Sequence, residues 1–440
     1  MQKNRRKRRE EGKREGGKPV VRSAESGPLA HASSALGEVL MFKQPTDAVL
    51  STYFRAHREL GQRDRAYVAD SVYGVVRRLR SLQAVAGQGA TPRELVLAWL
   101  ACGEQGSISD VGQKVSAAEA EWMASLKQTA PETPSTNEQL DLPDWLIERL
   151  SARLGEARLR GLAEALNQPA PLDLRVNVQR MTRDALLAEF VEAGIEAEAC
   201  RLSPHGLRLP TKPTLQQHPR FLDGSFEVQD EGSQLLSLLM QPRRGELIVD
   251  FCAGAGGKTL HLGAMMRSTG RVYAFDVSER RLARLKMRAA RAGLSSVHPA
   301  VIAHENDARV KRLVGKVDRV LVDAPCSGLG TLRRSPELKW RQTPEVVAEM
   351  AVRQSAILRA AATLVKPNGR LVYATCSLLD EENDAVVDAF LDAHPQFSLL
   401  HGGEILRKQG VDVGGERLRL FPDEHDTDGF FAVTLERRNG

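Results

Sequence analysis

Two of the five cysteines in this 440-residue chain close short β-rich runs: Cys326 ends VLVDAPC and Cys376 ends LVYATC. A thiol is the most nucleophilic of the side chains, with a pKa of about 8.5 and a few per cent thiolate at neutral pH. One strand-end cysteine is ordinary packing. Two of them, each beside small polar residues at strand ends that can lie side by side, point to a shared chemical task. Residue chemistry alone leaves open which of the two attacks.

A ligand site for that task is written into IVDFCAGAGGKTLHL (248–262), which reads as strand, Gly-rich turn and helix start. Gly254, Gly256 and Gly257 let the backbone turn sharply and come close to a ligand. Cys252, Ala253, Ala255 and Lys258 complete the turn. The spacing is neither GxGxxG nor the GxxxxGK[ST] of a phosphate loop. Asp276 ends the next strand, RVYAFD, about 20 residues further on, where an acid can accept both ribose hydroxyls of a nucleoside cofactor. Asp307, in HENDARV, is placed to receive an adenine amino group, and Asp323 ends the strand DRVLVD. Ligands of open α/β sheets sit outside the carboxyl ends of the strands. Asp250, Asp276, Asp307 and Asp323 are therefore expected to converge on one crevice. By themselves the glycine turn and Asp276 suit a nicotinamide enzyme as well as a methyltransferase.

The elements that must position these residues follow from periodicity. From residue 241 to 440, short β-rich runs (LIVDF, RVYAF, VHPAVIA, RVLVD, LVYAT) alternate with helical stretches, the pattern of a doubly wound parallel sheet. Residues 145–240 read as a smaller α+β unit: a single amphipathic stretch at 145–167, a strand in PLDLRVNVQR, a helix at 183–193 and then short strands. Residues 29–126 are helical, with Val68, Val72, Val75, Val76 and Leu79 on one apolar face. Between them, KQTAPETPSTNEQLDLPD (127–144) has the composition of a linker.

Charge is concentrated at one end. Residues 1–27 hold ten Lys/Arg and four Glu, a net of +6, and the whole chain (62 Lys+Arg, 56 Asp+Glu) also nets +6, so the remainder is formally neutral. The tail at 1–28 is expected to be disordered, and a basic arm of this kind gains affinity for a polyanion by counterion release. No apolar run approaches the length of a membrane span. The scattered, odd-numbered cysteines without a CxxC pair argue against disulfides and against a zinc site, so a cytoplasmic protein with reduced thiols and no metal is expected.

The motifs DFCAGAGGKT, DAPCSGLGTLRRSPELKW and YATCSLLDEEN resemble motifs I, IV and VI of the Nol/Nop/Sun family of RNA (cytosine-5) methyltransferases. Upstream, PLDLRVN and DGSFEVQDEGSQL are similar to that family's small RNA-binding subdomain. RDRAYVADSVYGVVRR (63–78) resembles the NusB-like helical domain of its bacterial RsmB (Fmu/Sun) type, which modifies 16S rRNA. One departure is that the family commonly carries Ala and Pro where this chain has Gly254 and Ala255, which loosens the turn by about 0.4–1 kcal/mol through the unfolded state.

The resemblance implies a Rossmann-like class I methyltransferase domain preceded by the α+β subdomain and the all-α NusB-like domain. It implies S-adenosylmethionine at Cys252, Ala253, Gly254, Ala255, Gly256, Gly257, Lys258, Asp276, Asp307 and Asp323. It further implies Cys376 as the nucleophile toward cytosine carbon 6, Cys326 as the thiol that assists proton loss or release, Asp323 on the cytosine edge, and Lys258 as an orienting charge. The implied partner is RNA, 16S rRNA or a small-subunit assembly intermediate, bound by a monomer away from membranes. The basic stretch RRSPELKWR (333–341), with Trp340, is expected along the RNA path. A tRNA substrate, a nicotinamide-dependent oxidoreductase and a catalytically silent assembly factor are the alternatives.

Overall fold

The computed structural model describes residues 27–102, 115–129 and 136–439; most of the basic tail lies outside the described residues. The N-terminal helices Pro28–Val39, Thr46–Ala56, Gln62–Arg77, Leu79–Ala86, Pro92–Cys102 and Ala117–Thr129 pack around their own core. Val68, Val72, Val75, Val76 and Leu79 are all buried in it. In this unit His31, His57 and Glu59 bring potential metal-ligand atoms within 4.8 Å of one another. His57 Nδ1 is already paired with Glu59 at 2.9 Å, and His31 Nδ1 meets the Tyr53 hydroxyl at 2.9 Å.

The stretch with linker composition is folded from residue 136 onward. Thr136–Leu140 is a helix, and Leu140 and Leu142 are buried. Between these two leucines Asp141 is fully buried, accepting from the Ser81 amide and hydroxyl at 2.9 Å each. Pro, Thr and Ser dominate the composition here, and two leucines with one capping acid override them. The amphipathic stretch at 145–167 is two helices, Asp144–Leu154 and Glu156–Leu166, because Gly155 between them adopts φ +78°.

The α+β unit holds strands β1 (Leu172–Val176), β2 (Glu198–Ala199), β3 (Gly206–Leu209) and β4 (Phe226–Val228) in the antiparallel order β2-β3-β1-β4. Leu186 and Phe190 of the helix Arg183–Glu192 close its core against Leu174, Val176, Leu207 and Phe226. The helix Glu231–Met240, buried along its whole length, leads from it into the large sheet.

That sheet contains β5 (Leu247–Asp250), β6 (Arg271–Asp276), β7 (Val297–Val301), β8 (Val317–Asp323), β9 (Val365–Thr375), β10 (Phe397–Leu400), β11 (Leu418–Leu420) and β12 (Phe430–Arg437). Its order is β10-β12-β9-β8-β5-β6-β7, with β11 added to β12. Strands β5 to β9 are parallel neighbours, whereas β12 runs antiparallel to β9 and β10. The sheet is thus mixed rather than wholly parallel. Strand β12, read from sequence, is a continuous apolar run (FFAVTL), and such a run has the same signature in either direction.

Two features of this topology place the site. The chain leaves β5 toward β6 and β7, then returns to lay β8 and β9 on the other side, so the order reverses between β5 and β8 and opens a crevice at their carboxyl ends. Strands β8 and β9 pair with Asp323 opposite Ala374. Cys326 and Cys376 therefore leave neighbouring strands at nearly the same height.

Candidate active site

The two sulfurs, fifty positions apart in the chain, lie 3.2 Å from each other. Their turns are tied by backbone as well: the Gly330 amide donates to the Cys376 carbonyl and the Gly429 amide to the Gly330 carbonyl, both at 2.8 Å. A Cβ on Gly330 would lie 2.1 Å from the Gly429 carbonyl, so only glycine fits between the turns.

Beneath the cysteines sits a residue to which sequence reasoning gave no role. Glu382 is fully buried and accepts from the Ser327 amide (2.8 Å), the Ser327 hydroxyl (2.5 Å), the Gln354 side-chain amide (2.9 Å) and the Ser377 hydroxyl. Ser327 and Ser377 each follow a thiol in the chain, and their hydroxyls are 3.2 Å apart. One carboxylate thus pins both cysteine turns. The only signal in the sequence was a run of acids (Asp380 to Glu382) close after the second of two similar Cys-Ser pairs, with nothing to say that one of them folds back beneath both.

The charges around the pair are asymmetric. Lys258 Nζ, 2.7 Å from Asp323 Oδ2, is almost wholly buried. Burial acts to lower its pKa, but the charge of Asp323 and the hydrogen bond to it, joined by Cys376 and Asp250, leave it raised, so the ammonium persists beside Cys376. Cys326 faces the other way. Its hydrogen bond with Cys376, then burial, then the charges of Cys376 and Glu382 push its thiol well above the ordinary range. The pair is polarised: a cation attends Cys376, an anion attends Cys326.

A crevice of about 560 Å³ opens beside the thiols, lined by Ala253, Gly254, Asp276, Asp323, Cys326 and Cys376 among others. Cys252, Ala255, Gly257 and Lys258 also line it. Gly254 adopts φ +56° with open space where a Cβ would stand. Burial pushes the Cys252 thiol up and keeps it inert at neutral pH. Asp276 accepts the Gly254 amide at 2.8 Å and the Ser278 amide at 2.7 Å, and it meets Arg281 at 2.8 Å, so it shapes the turn as well as the crevice.

Two expected cofactor residues stand elsewhere. Gly256 (φ +89°) starts the helix Gly257–Met265, and a Cβ there would collide with Leu285 at 2.5 Å. Its work is close packing rather than lining. Asp307 caps the short helix after β7, receiving the Arg309 amide at 2.8 Å and the Ala303 amide at 3.0 Å. Each of its oxygens accepts one amide of its own loop, and Ala303, His304 and Glu305 present that loop to the crevice.

Two side chains of the basic stretch after Cys326 turn inward rather than toward solvent. Trp340 Nε1 donates to the Val76 carbonyl at 2.8 Å, and Lys339, 1 % exposed, donates to the Arg77 carbonyl (2.7 Å) and Asn167 Oδ1 (2.8 Å). These side chains fasten the catalytic turn to the N-terminal helices. The basic helix Glu279–Ala292 leaves Arg280, Arg284 and Lys286 exposed but sends Arg288 and Arg291 to Glu227 of β4 at 3.0 and 2.5 Å.

Asp250, at the end of β5, carries a testable electrostatic signature. Burial, opposed by the Thr259 hydroxyl (2.6 Å) and reinforced by Asp323, pushes its carboxyl up to about 7. A carboxyl raised above its unfolded value of about 3.9 favours the protonated folded state. Its contribution to stability is complete below about pH 4 and is lost as pH rises through about 7. Chemical denaturation between pH 4 and 8 is expected to show a decline in wild-type stability that is shallower in Asp250→Asn; equal slopes would disprove the assignment.

Against known proteins, residues 237–436 match the family model "16S rRNA methyltransferase RsmB/F", and residues 142–216 match the ferredoxin-like domain of RsmF/B-like methyltransferases. A relative from Synechocystis sp., "Probable ribosomal RNA small subunit methyltransferase B", is 34% identical over 432 residues, covering 89% of this chain and 95% of its own. The chain belongs to the RsmB/F methyltransferase family. Another RsmB/F relative, ribosomal RNA small subunit methyltransferase B of Erwinia tasmaniensis, is 36% identical over 299 residues, 67% of this chain and 66% of that one. Among solved structures, a methyltransferase homologue from Pyrococcus horikoshii aligns with TM-score 0.59 and 28% identity, over 69% of this chain and 99% of its own. In RsmB/F terms, the matched methyltransferase region holds the large sheet with both thiols, and the ferredoxin-like match covers β1 to β3.

Proposed function

We propose that this RsmB/F-family protein methylates carbon 5 of a cytosine in RNA, with 16S rRNA as substrate and S-adenosylmethionine as methyl donor. The observation that carries the reading is the polarised thiol pair, 3.2 Å apart, at the edge of a crevice whose Lys258–Asp323 ion pair lies beside it. The names of the relatives, ribosomal RNA small subunit methyltransferase B, support the substrate class.

The crevice suits the donor. Its volume of about 560 Å³ lies in the usual range for small-molecule sites. Gly254 leaves room for close backbone approach, Asp276 stands at the carboxyl end of β6, and buried Asp250 Oδ1 has no partner of its own. S-adenosylmethionine would supply an electrophilic methyl group held by the turn 252–258 and Asp276.

Cytosine carbon 5 is too weak a nucleophile to take a methyl group unaided. Cys376 Sγ adds as the thiolate to carbon 6, and the ring electron pair moves to make carbon 5 enamine-like. Asp323 hydrogen-bonds the base edge and stabilises the protonated adduct. After methyl transfer the carbon-5 proton passes to a base, either solvent water or Cys326 once its own thiol has given up its proton; the C5–H electron pair forms the ring double bond, and the carbon 6–sulfur pair returns to Cys376. Cys326, held as a thiol before attack, assists this last step. The target base must be unpaired for a thiolate to reach above its plane. The helical unit (29–126) and the antiparallel subdomain (145–240) are read as RNA-binding modules, and the cytoplasm as the place of work.

Incubating the protein with a donor tritiated in its methyl group and with 16S rRNA or tRNA is expected to label carbon 5 of cytosine in the 16S rRNA. No label in either RNA would overturn the chemistry, and label confined to tRNA would overturn the substrate.

A further inference from the structure

A larger cleft, about 840 Å³, lies where the helical unit, the antiparallel subdomain and the turn after Cys326 meet. Arg77 and Arg78 approach from the helical unit, Lys212 from the subdomain, and Arg333 and Arg334 from the catalytic turn, with Asp70 on the rim. Some of this charge is matched. Arg334 meets Asp428 at 2.7 Å and Asp230 at 2.9 Å, Arg333 meets Asp426 at 2.9 Å, and Arg78 meets Asp141 at 3.4 Å. Arg77 has no acid in ion-pair contact among the described residues. Its Nη2 donates to the Arg333 carbonyl at 3.0 Å, and its Nε, like that of Arg333, is buried without a hydrogen-bond partner.

The like charges act on one another. Burial, and then Arg78, bring the Arg77 guanidinium down to about 10, with Arg333 adding to the effect. Burial, then Arg334 and Arg77, lower Lys212. Guanidinium donors buried without a partner, as on Arg77 and Arg333, are costly to keep, and an anion that entered would relieve both the repulsion and the missing hydrogen bonds. A phosphodiester fits these donors, and the turn 326–334 runs from the thiols to this cleft.

We propose that this cleft is a second RNA site, which holds backbone phosphates of the strand whose cytosine enters the thiol crevice. The proposal rests on the RNA reading above. It makes the three units a jaw on the RNA backbone, with positioning by phosphate contacts rather than base recognition.

The test compares Lys212→Glu at the mouth, Arg77→Gln in the wall, and Lys311→Glu, which makes the same charge change on an exposed helix outside the cleft. Affinity for an in vitro transcribed small-subunit rRNA fragment is measured across salt concentrations, alongside affinity for S-adenosylhomocysteine and melting temperature. Lys212→Glu and Arg77→Gln are expected to weaken RNA binding by about tenfold and to flatten the salt slope by roughly 0.7 to 0.9 per lost contact, with S-adenosylhomocysteine affinity unchanged. Lys311→Glu is expected to leave the RNA affinity close to wild type. Equal weakening in Lys311→Glu and Lys212→Glu, or an unaltered salt slope in both cleft variants, would overturn the site. If the wild type binds RNA but labels no cytosine, the methylation reading falls while a cleft that responds as expected survives.

Discussion

Cys376→Ser is expected to lower methyl transfer to RNA by roughly 10⁴-fold or more, because a hydroxyl at that position stays un-ionised and cannot add to carbon 6. Cys326→Ser is expected to give a different failure: a protein that attacks the base and then remains attached to it. The two outcomes follow from the opposed environments of sulfurs only 3.2 Å apart. The charge near Cys376 is the Lys258 ammonium, whereas Cys376, burial and Glu382 keep the proton on Cys326. Denaturing gels of each variant mixed with RNA and donor separate the cases. A slowly migrating protein–RNA band should be strong for Cys326→Ser and absent for Cys376→Ser. If instead the band disappears in Cys326→Ser and persists in Cys376→Ser, the roles are exchanged.

The second large effect belongs to Glu382. Glu382→Ala strands the Ser327 amide, removes one of the two acceptors of the Gln354 side-chain amide (the Pro325 carbonyl remains), and frees two hydroxyls that had converged on one carboxylate. Each abandoned buried donor costs about 1–3 kcal/mol, so a loss of about 3–5 kcal/mol in stability is expected by denaturant titration. Activity should fall with it, which would not by itself distinguish positioning from folding. Glu382→Gln makes that distinction, since it keeps the volume and one acceptor oxygen, offers an NH2 that the rotatable Ser327 and Ser377 hydroxyls can accept, and removes the charge. Removing a negative charge beside an acid lowers that acid's pKa. The pH limb governed by Cys326 should therefore move to lower pH, with kcat reduced about tenfold and the KM for RNA little changed. An unmoved pH profile in a well-folded Glu382→Gln protein would leave Glu382 a merely structural residue.

The elements that proved legible in the sequence are those whose signal is local. The runs LIVD, RVYAFD and RVLVD alternate with helical stretches, and the residue types at their carboxyl ends (Asp250, Asp276, Asp323) already suggested a crevice. Valines at helical spacing identified the buried face of the helix Gln62–Arg77. The misreadings share one cause: composition describes a segment's average, while burial depends on what meets it. The Pro/Thr-rich stretch before residue 144 hides Leu140 and Leu142, which find a core in the helices that follow. Of the basic stretch at 333–341, expected along the RNA path, Lys339 and Trp340 are spent on carbonyls of Arg77 and Val76, while Arg333 and Arg334 line the larger cleft.

By itself the sequence determined the chemical inventory: two thiols after similar strands, a glycine turn, strand-end acids and a lysine, because strand periodicity and turn chemistry act over a few residues. Only the tertiary structure decided that Asp323 pairs opposite Ala374, that the sulfurs meet, that Glu382 folds beneath both turns, and that three units close on a cleft of arginines. Those outcomes depend on strand order, register and the desolvation of charges by distant segments. These are sums over contacts between residues far apart in the chain, and no window of sequence contains them.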